Sequence, residues 1–204
     1  MVDLGDAKTW LVVGLGNPGP EYERTPHNLG FLAIDRLAVV HGIRINRPEA
    51  NALVGAGSVE RRPAVLAKPR TFMNLSGVSV MALMETYGLG VENLVLVYDE
   101  LALPWASMRI RPRGSSAGHK GVESVIRSLG TGEFARVRLG IHPGHEVRDG
   151  AEYVLAPMKR AWEKELDELL DNACRAVESI IAEGVDKAMA TFNRRAQGLT
   201  NEDQ

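Results

Sequence analysis

The stretch Trp10-Leu11-Val12-Val13-Gly14-Leu15-Gly16-Asn17-Pro18-Gly19-Pro20-Glu21-Tyr22-Glu23-Arg24-Thr25-Pro26-His27-Asn28 opens on four apolar residues and then changes character. Its last fifteen positions hold three glycines, three prolines, two asparagines and a histidine. An apolar run that ends in so much turn chemistry reads as a buried strand with a rigid loop at its carboxyl end, the edge where open α/β sheets hold ligands. Helical spacing follows at Leu29, Ala33, Leu37 and Val40, with Gly42 as the stop. Strand, long loop and helix begin an α/β fold, and His27 sits in the loop.

Working outward, short strands are predicted near Ala52 to Val59 and Pro63 to Ala67, then the loop Lys68-Pro69-Arg70-Thr71-Phe72-Met73-Asn74 and a helix from Ser76 to Tyr87, closed by Gly88. Asn93 to Tyr98 contains Leu94-Val95-Leu96-Val97, a run for a strand buried on both faces, and it ends on Asp99-Glu100. Met108, Ile110 and Pro112 alternate with Arg109, Arg111 and Arg113, which predicts a strand presenting its arginines outward. The turn Gly114-Ser115-Ser116-Ala117-Gly118 leads to a helix over His119 to Leu129, and Arg136 to Ile141 alternates again as a strand. Trp162, Leu166, Leu169, Leu170, Ala173, Val177, Ile180 and Ile181 trace one stripe of a helix over Arg160 to Ala182, and a shorter helix covers Val185 to Arg195. Residues 1–9 read as an N-terminal extension, 10–196 as one α/β domain and 197–204 as a polar tail.

With 204 residues, 45% apolar and 25% charged, the chain has the composition of an ordinary globular protein large enough for a full core. Acidic residues near Met1 replace the basic segment of a signal peptide, and no apolar run reaches membrane-spanning length, so a cytoplasmic location is expected. The single Cys174 excludes an intrachain disulfide and a cysteine cluster for zinc, and it falls on the apolar side of a helical pattern as core filling. Net charge is only −2, but seven basic residues face two acids between Arg109 and Arg138. A basic segment on an acidic body suits a polyanionic partner, although a solvated charged face has the same signature.

Gly14-x-Gly16-x-x-Gly19 matches the spacing of a dinucleotide-binding fingerprint, but Pro18 and Pro20 stand where its helix should open and Asp35 falls inside a helix. Among five histidines, His41 lies in a helix's last turn, where it complements the dipole, and His142 and His145 flank Pro143-Gly144 with no third metal ligand indicated. His119, at a helix start, is placed for anion or carbonyl contacts. His27, in a loop that cannot be core, is the preferred base. Asp99 is its best placed partner if parallel strands bring both to one edge, where Asn17, Asn28 and Asn74 are also predicted. Neutral amides can hold an ester or stabilise an oxyanion, while turn and cap roles explain the same asparagines structurally. No Gly-x-Ser-x-Gly elbow is present, and Ser76, Ser115 and Ser116 occupy turn or cap positions, which favours water activated by His27 as nucleophile.

Several ordered motifs coincide with one family. Gly14-Leu15-Gly16-Asn17-Pro18-Gly19, Tyr22, Thr25-Pro26-His27-Asn28-Leu29-Gly30, Lys68 to Gly77, Asp99-Glu100-Leu101-x-Leu103-Pro104, Gly118-His119-x-Gly121 and Arg136-x-Arg138-x-Gly140-Ile141 resemble the bacterial peptidyl-tRNA hydrolases, from Trp10 to Arg194. The resemblance implies cleavage of the ester between a peptide and the 3′ adenosine of tRNA, with His27 as catalytic base and Asp99 assisting. It implies substrate contacts from Asn17 and Asn74, a cleft lined by Tyr22 and Met73, and a monomeric α/β domain with a twisted mixed sheet between helices, without metal or cofactor. The family's Gly-His-Asn-Gly reads here Gly118-His119-Lys120-Gly121, and a lysine can meet phosphate only as a point charge. His119 and Lys120 are accordingly expected at the substrate, and Arg109, Arg111, Arg113 and Arg136 on tRNA phosphates. An RNA-binding module of the same fold without hydrolytic activity is the alternative.

Overall fold

The computed structural model describes residues 8–195; the expected tail and most of the N-terminal extension lie outside them. In chain order the main elements are β1 (Trp10–Gly14), α1 (Leu29–Val40), β2 (Arg47–Glu49), β3 (Ala52–Val59), β4 (Arg62–Pro69), α2 (Ser76–Tyr87), β5 (Leu94–Pro104), β6 (Met108–Arg111), α3 (Lys120–Leu129), β7 (Ala135–His142), α4 (Gly150–Leu155), α5 (Glu163–Glu183) and α6 (Val185–Arg195). The strands form one mixed sheet of seven in the order β2-β3-β4-β1-β5-β7-β6.

Continuous apolar runs in the central strands reflect burial on both faces. Val12 of β1, Val95 and Val97 of β5 and Val137 of β7 pack with α1 and α5 in one core. Leu11 and Val13, Leu94 and Leu96, and Tyr98 pack with α2 and α3 in the other. Successive side chains alternate sides with the pleat, so each run feeds both cores.

Four central strands set the functional edge. β1 runs parallel to β4 and β5, and β5 parallel to β7, so the loops after all four emerge on one side of the sheet. The glycines of the opening loop serve this packing. A Cβ on Gly14 would stand 2.1 Å from the Gly30 carbonyl oxygen, and one on Gly30 would stand 2.4 Å from the backbone nitrogen of Leu15. α1 therefore lies directly on β1, and the loop is a close-contact joint, not a cradle that opens a helix on phosphate.

Three expectations about elements need correction. β5 runs on to Pro104, so Asp99 lies inside the strand; it stands beyond the last β1 partner, Val97, and pairs with Leu139 of β7. The strand β2 and the helix α4 were not expected: three residues centred on Pro48 give no strand period, and α4 is only six residues long. The long C-terminal helix begins at Glu163, after a 3-10 turn over Arg160–Trp162. Among the described residues no helix is long and apolar enough to cross a membrane.

Candidate active site

Tight local turns bring His27 to the sheet edge. Pro26 starts a 3-10 turn over Pro26–Asn28 that runs straight into α1, so His27 is fixed one residue before Asn28, the cap position of that helix. Asn28 turns inward: its Oδ1 accepts from the backbone N–H of Asn17 at 2.8 Å and its Nδ2 donates to the Asn17 carbonyl at 3.0 Å. This amide pair sews the two ends of the opening loop together, leaving Asn28 buried and unavailable to a ligand.

Asp99 is buried at 2% exposure and receives two imidazoles. His27 Nδ1 lies 3.0 and 2.9 Å from its two carboxylate oxygens, and His119 Nε2 lies 2.9 Å from Oδ1. The tautomers follow from the remaining contacts. His119 Nδ1 accepts the N–H groups of Gly121 and Val122, each at 3.2 Å, so its proton is on Nε2 and is donated to Asp99. His27 donates Nδ1–H to the same carboxylate, which leaves its Nε2 lone pair without a protein partner among the described residues, on a side chain 12% exposed at the cavity. Burial alone would push the Asp99 carboxyl up, but the imidazoles of His119 and His27 bonded to it outweigh burial and hold the carboxyl below the usual carboxylate range.

His119 lines the cavity as well, but both of its ring nitrogens are occupied, one as the cap of α3 and one on Asp99, while its ring meets Tyr98 edge-on at 5.0 Å. Ligand atoms of His27, Asp99 and His119 do lie within 4.8 Å of one another. The nitrogen of His119 that faces this centre carries the proton, however, so the neutral ring offers a cation no lone pair there.

Around this trio lies a cavity of about 580 Å³. Asn17, Tyr22, Met73, Asn74, His119 and Lys120 all line it. Asn17 is buried, and its Oδ1 accepts from Met73 N–H at 2.8 Å, which fastens the loop after β4 to the loop after β1 and leaves the Nδ2 donor free of protein partners among the described residues. Asn74 is exposed and its amide has no protein partner among the described residues. Unexpected wall residues come from α4, where Ala151, Val154 and Leu155 close the far side. Asp149 caps that helix by accepting from Ala151 N–H and Glu152 N–H, and the spacing of Asp149 and Glu152 was the available sequence signal.

The basic segment is arranged less openly than its alternation implies. In the β6 and β7 register, Arg109 faces Arg138 and Arg111 faces Arg136, so all four share one side of the sheet. A smaller cavity of about 190 Å³ is lined by Arg111, Arg113, Arg136 and Arg138 and shares Glu100 and Ala117 with the first. Arg136 is not an exposed phosphate ligand: it is 1% exposed, and its guanidinium donates to the carbonyls of Ser115, Gly114 and Gly132. It ties down the loop that precedes α3. Arg138 is paired with Glu100 at 2.7 Å, and Arg113 with Glu133 at 3.3 Å on the surface. Arg109 is half-buried, with Nε enclosed and unpartnered among the described residues. Arg111 and Lys120 are exposed cations without a protein partner among the described residues.

The remaining histidines lie apart from this centre. His41 pairs with Glu178 at 2.9 Å behind α1, and His142 Nδ1 accepts from Gly144 N–H.

Known proteins share this architecture. The family model for peptidyl-tRNA hydrolase matches residues 11–200. The peptidyl-tRNA hydrolase of Solibacter usitatus is 57% identical over 194 residues, covering 95% of this chain and 99% of that one. That of Koribacter versatilis is 48% identical over 188 residues, covering 92% and 94%. Among solved structures, the peptidyl-tRNA hydrolase of Acinetobacter baumannii superposes with a TM-score of 0.83 at 34% identity, covering 91% of this chain and 94% of that chain. Matches of this extent, on a fold whose sheet edge gathers His27, Asp99, Asn17 and Asn74, mean that the chain belongs to the peptidyl-tRNA hydrolase family.

Proposed function

We propose that the chain hydrolyses the ester that joins a peptide to the 3′ end of tRNA, with His27 as general base for the attacking water. The observation that carries this reading is the His27–Asp99 contact: Nδ1–H is held by a buried carboxylate, so in the neutral ring the lone pair is on Nε2, on a residue that lines the cavity. Water at Nε2 loses its proton to His27 as its oxygen adds to the ester carbonyl. Asp99 keeps the ring in the required tautomer and stabilises the imidazolium that forms. As the tetrahedral intermediate collapses, the same proton passes to the departing ribose oxygen.

Charge develops on the carbonyl oxygen during attack. The exposed amide of Asn74, without a protein partner among the described residues, is a donor on the cavity wall suited to meet it, while Asn17 Nδ2 and Tyr22 hold the peptide end. His119 acts through Asp99 as a positioning residue. Lys120 and Arg111 supply charge for phosphates, with Arg109 and Arg113 beside them, and Arg136 supports this surface from beneath. Phosphate contacts carry affinity without reading bases, which fits an enzyme that must accept many different tRNAs.

Release of the N-acetylated amino acid from N-acetyl-aminoacyl-tRNA tests the reading. Turnover by the purified chain at catalytic concentration is the expected result. Tight tRNA binding with no release would instead make the chain a binding module of the same fold.

A further inference from the structure

The substrate proposed above has two unlike halves, a polyanion and a peptide, and the sheet edge has two unlike sides. Arginines stand on β6 and β7, whereas β4, whose loop leads into α2, lies on the other side of β1, and α2 packs against α3. On that loop and α2, Phe72 is 58% exposed, Leu75 47%, Val78 46% and Met81 37%. Seven large hydrophobic residues are exposed among those described, and these are four of them; a fifth, Leu155, stands on the α4 lip of the cavity.

Folding does not require this stripe. The inner face of α2 already buries Ser79, Val80, Leu83 and Met84 against the sheet. A surface helix ordinarily carries polar residues opposite its buried face, and an apolar patch that continues from a ligand cavity marks a place where something binds. Phe72 lines the cavity and begins the stripe, so the patch is continuous with the proposed site of ester cleavage.

We propose that Leu75, Val78 and Met81 form a docking face for apolar side chains of the substrate's peptide, entered from the cavity past Phe72. The inference rests on the reaction proposed above. From Leu75 to Met81 the helix rises about 9 Å, a length that an extended peptide covers in about three residues. Peptides that reach beyond the cavity would therefore be held by their apolar content, with the arginine side holding the tRNA.

The test compares two substrates, tRNA charged with an N-acetylated five-residue peptide of leucine or of serine, in wild type and in the double variant Val78→Asp/Met81→Asp. A milder pair, Val78→Asn/Met81→Gln, guards against a folding defect. Wild type is expected to favour the leucine peptide in kcat/KM by about tenfold, mainly through KM, and both variants to bring the ratio close to one. A ratio near one in wild type, or a preference that survives both variants, would overturn the proposal while leaving the hydrolytic reading intact. Failure of wild type to cleave either substrate would overturn the reading beneath it as well. Sedimentation showing a wild-type dimer that the variants dissolve would assign the face to a second copy and also overturn it.

Discussion

Asp99 is the residue on which the proposed chemistry turns, because one buried carboxylate fixes the protons of two imidazoles. Asp99→Asn replaces one carboxylate oxygen by an NH2 donor, so a single uncharged oxygen must accept both imidazole N–H groups while the new NH2 stands against His27 Nδ1–H unless that ring turns or exchanges tautomers. The variant is expected to lose about 10³-fold in kcat with KM changed by less than about threefold, measured on N-acetyl-aminoacyl-tRNA. The same substitution has a pH signature in stability. Asp99 is held below the usual carboxylate range in the folded protein, so its ionised form contributes stability that is present above the unfolded value of about 3.9 and lost as pH falls through the folded value. Urea denaturation should show wild type more stable than Asp99→Asn at neutral pH, with the gap closing in strong acid. A gap that stays constant down to about pH 2 would contradict this assignment.

At the scale of elements, the joint between β1 and α1 sets the position of His27, and it depends on two glycines back to back. A methyl group on Gly30 would meet the backbone of Leu15 and of Val97 at 2.4 Å, with no flexible side chain to give way. Gly30→Ala is expected to cost at least about 2 kcal/mol in chemical denaturation, and an unchanged midpoint would show that the joint yields. Much of this was legible in the sequence. The bounds of α1 and α2 follow from apolar spacing and their stop signals, because those signals are local. The Asn17, His27 and Asp99 gathering was legible because parallel strands put their loops on one edge. What could not be read depends on distant partners. The commitment of His119 to Asp99 is set by what stands across the cavity, and the burial of Arg136 by a loop that folds over it from 21 and 22 residues away. Alternation assigned Arg136 a face of the sheet but not what covers that face.

For the whole molecule, the order of strands puts the arginines of β6 and β7 on one side of β1 and puts β4, whose loop leads into α2, on the other. Binding of tRNA should therefore weaken steeply with salt. Replacing Arg111 and Lys120 together by Ala should reduce the slope of log affinity against log salt by about 1.5, while an unchanged slope would place phosphates elsewhere. The C-terminal helix seals the opposite core: Cys174 on α5 is buried against the Ala33 carbonyl, and burial pushes its thiol up to about 12. Alkylation of Cys174 should thus be negligible in the native protein and complete in denaturant, and rapid native labelling would show that α5 opens locally. The account as a whole turns on His27. Single-turnover hydrolysis of N-acetyl-aminoacyl-tRNA by His27→Ala, with tRNA affinity measured in parallel, is predicted to slow by about 10² to 10⁴-fold while affinity stays within about twofold; a cleavage rate within about threefold of wild type would contradict the assignment of His27 as the base.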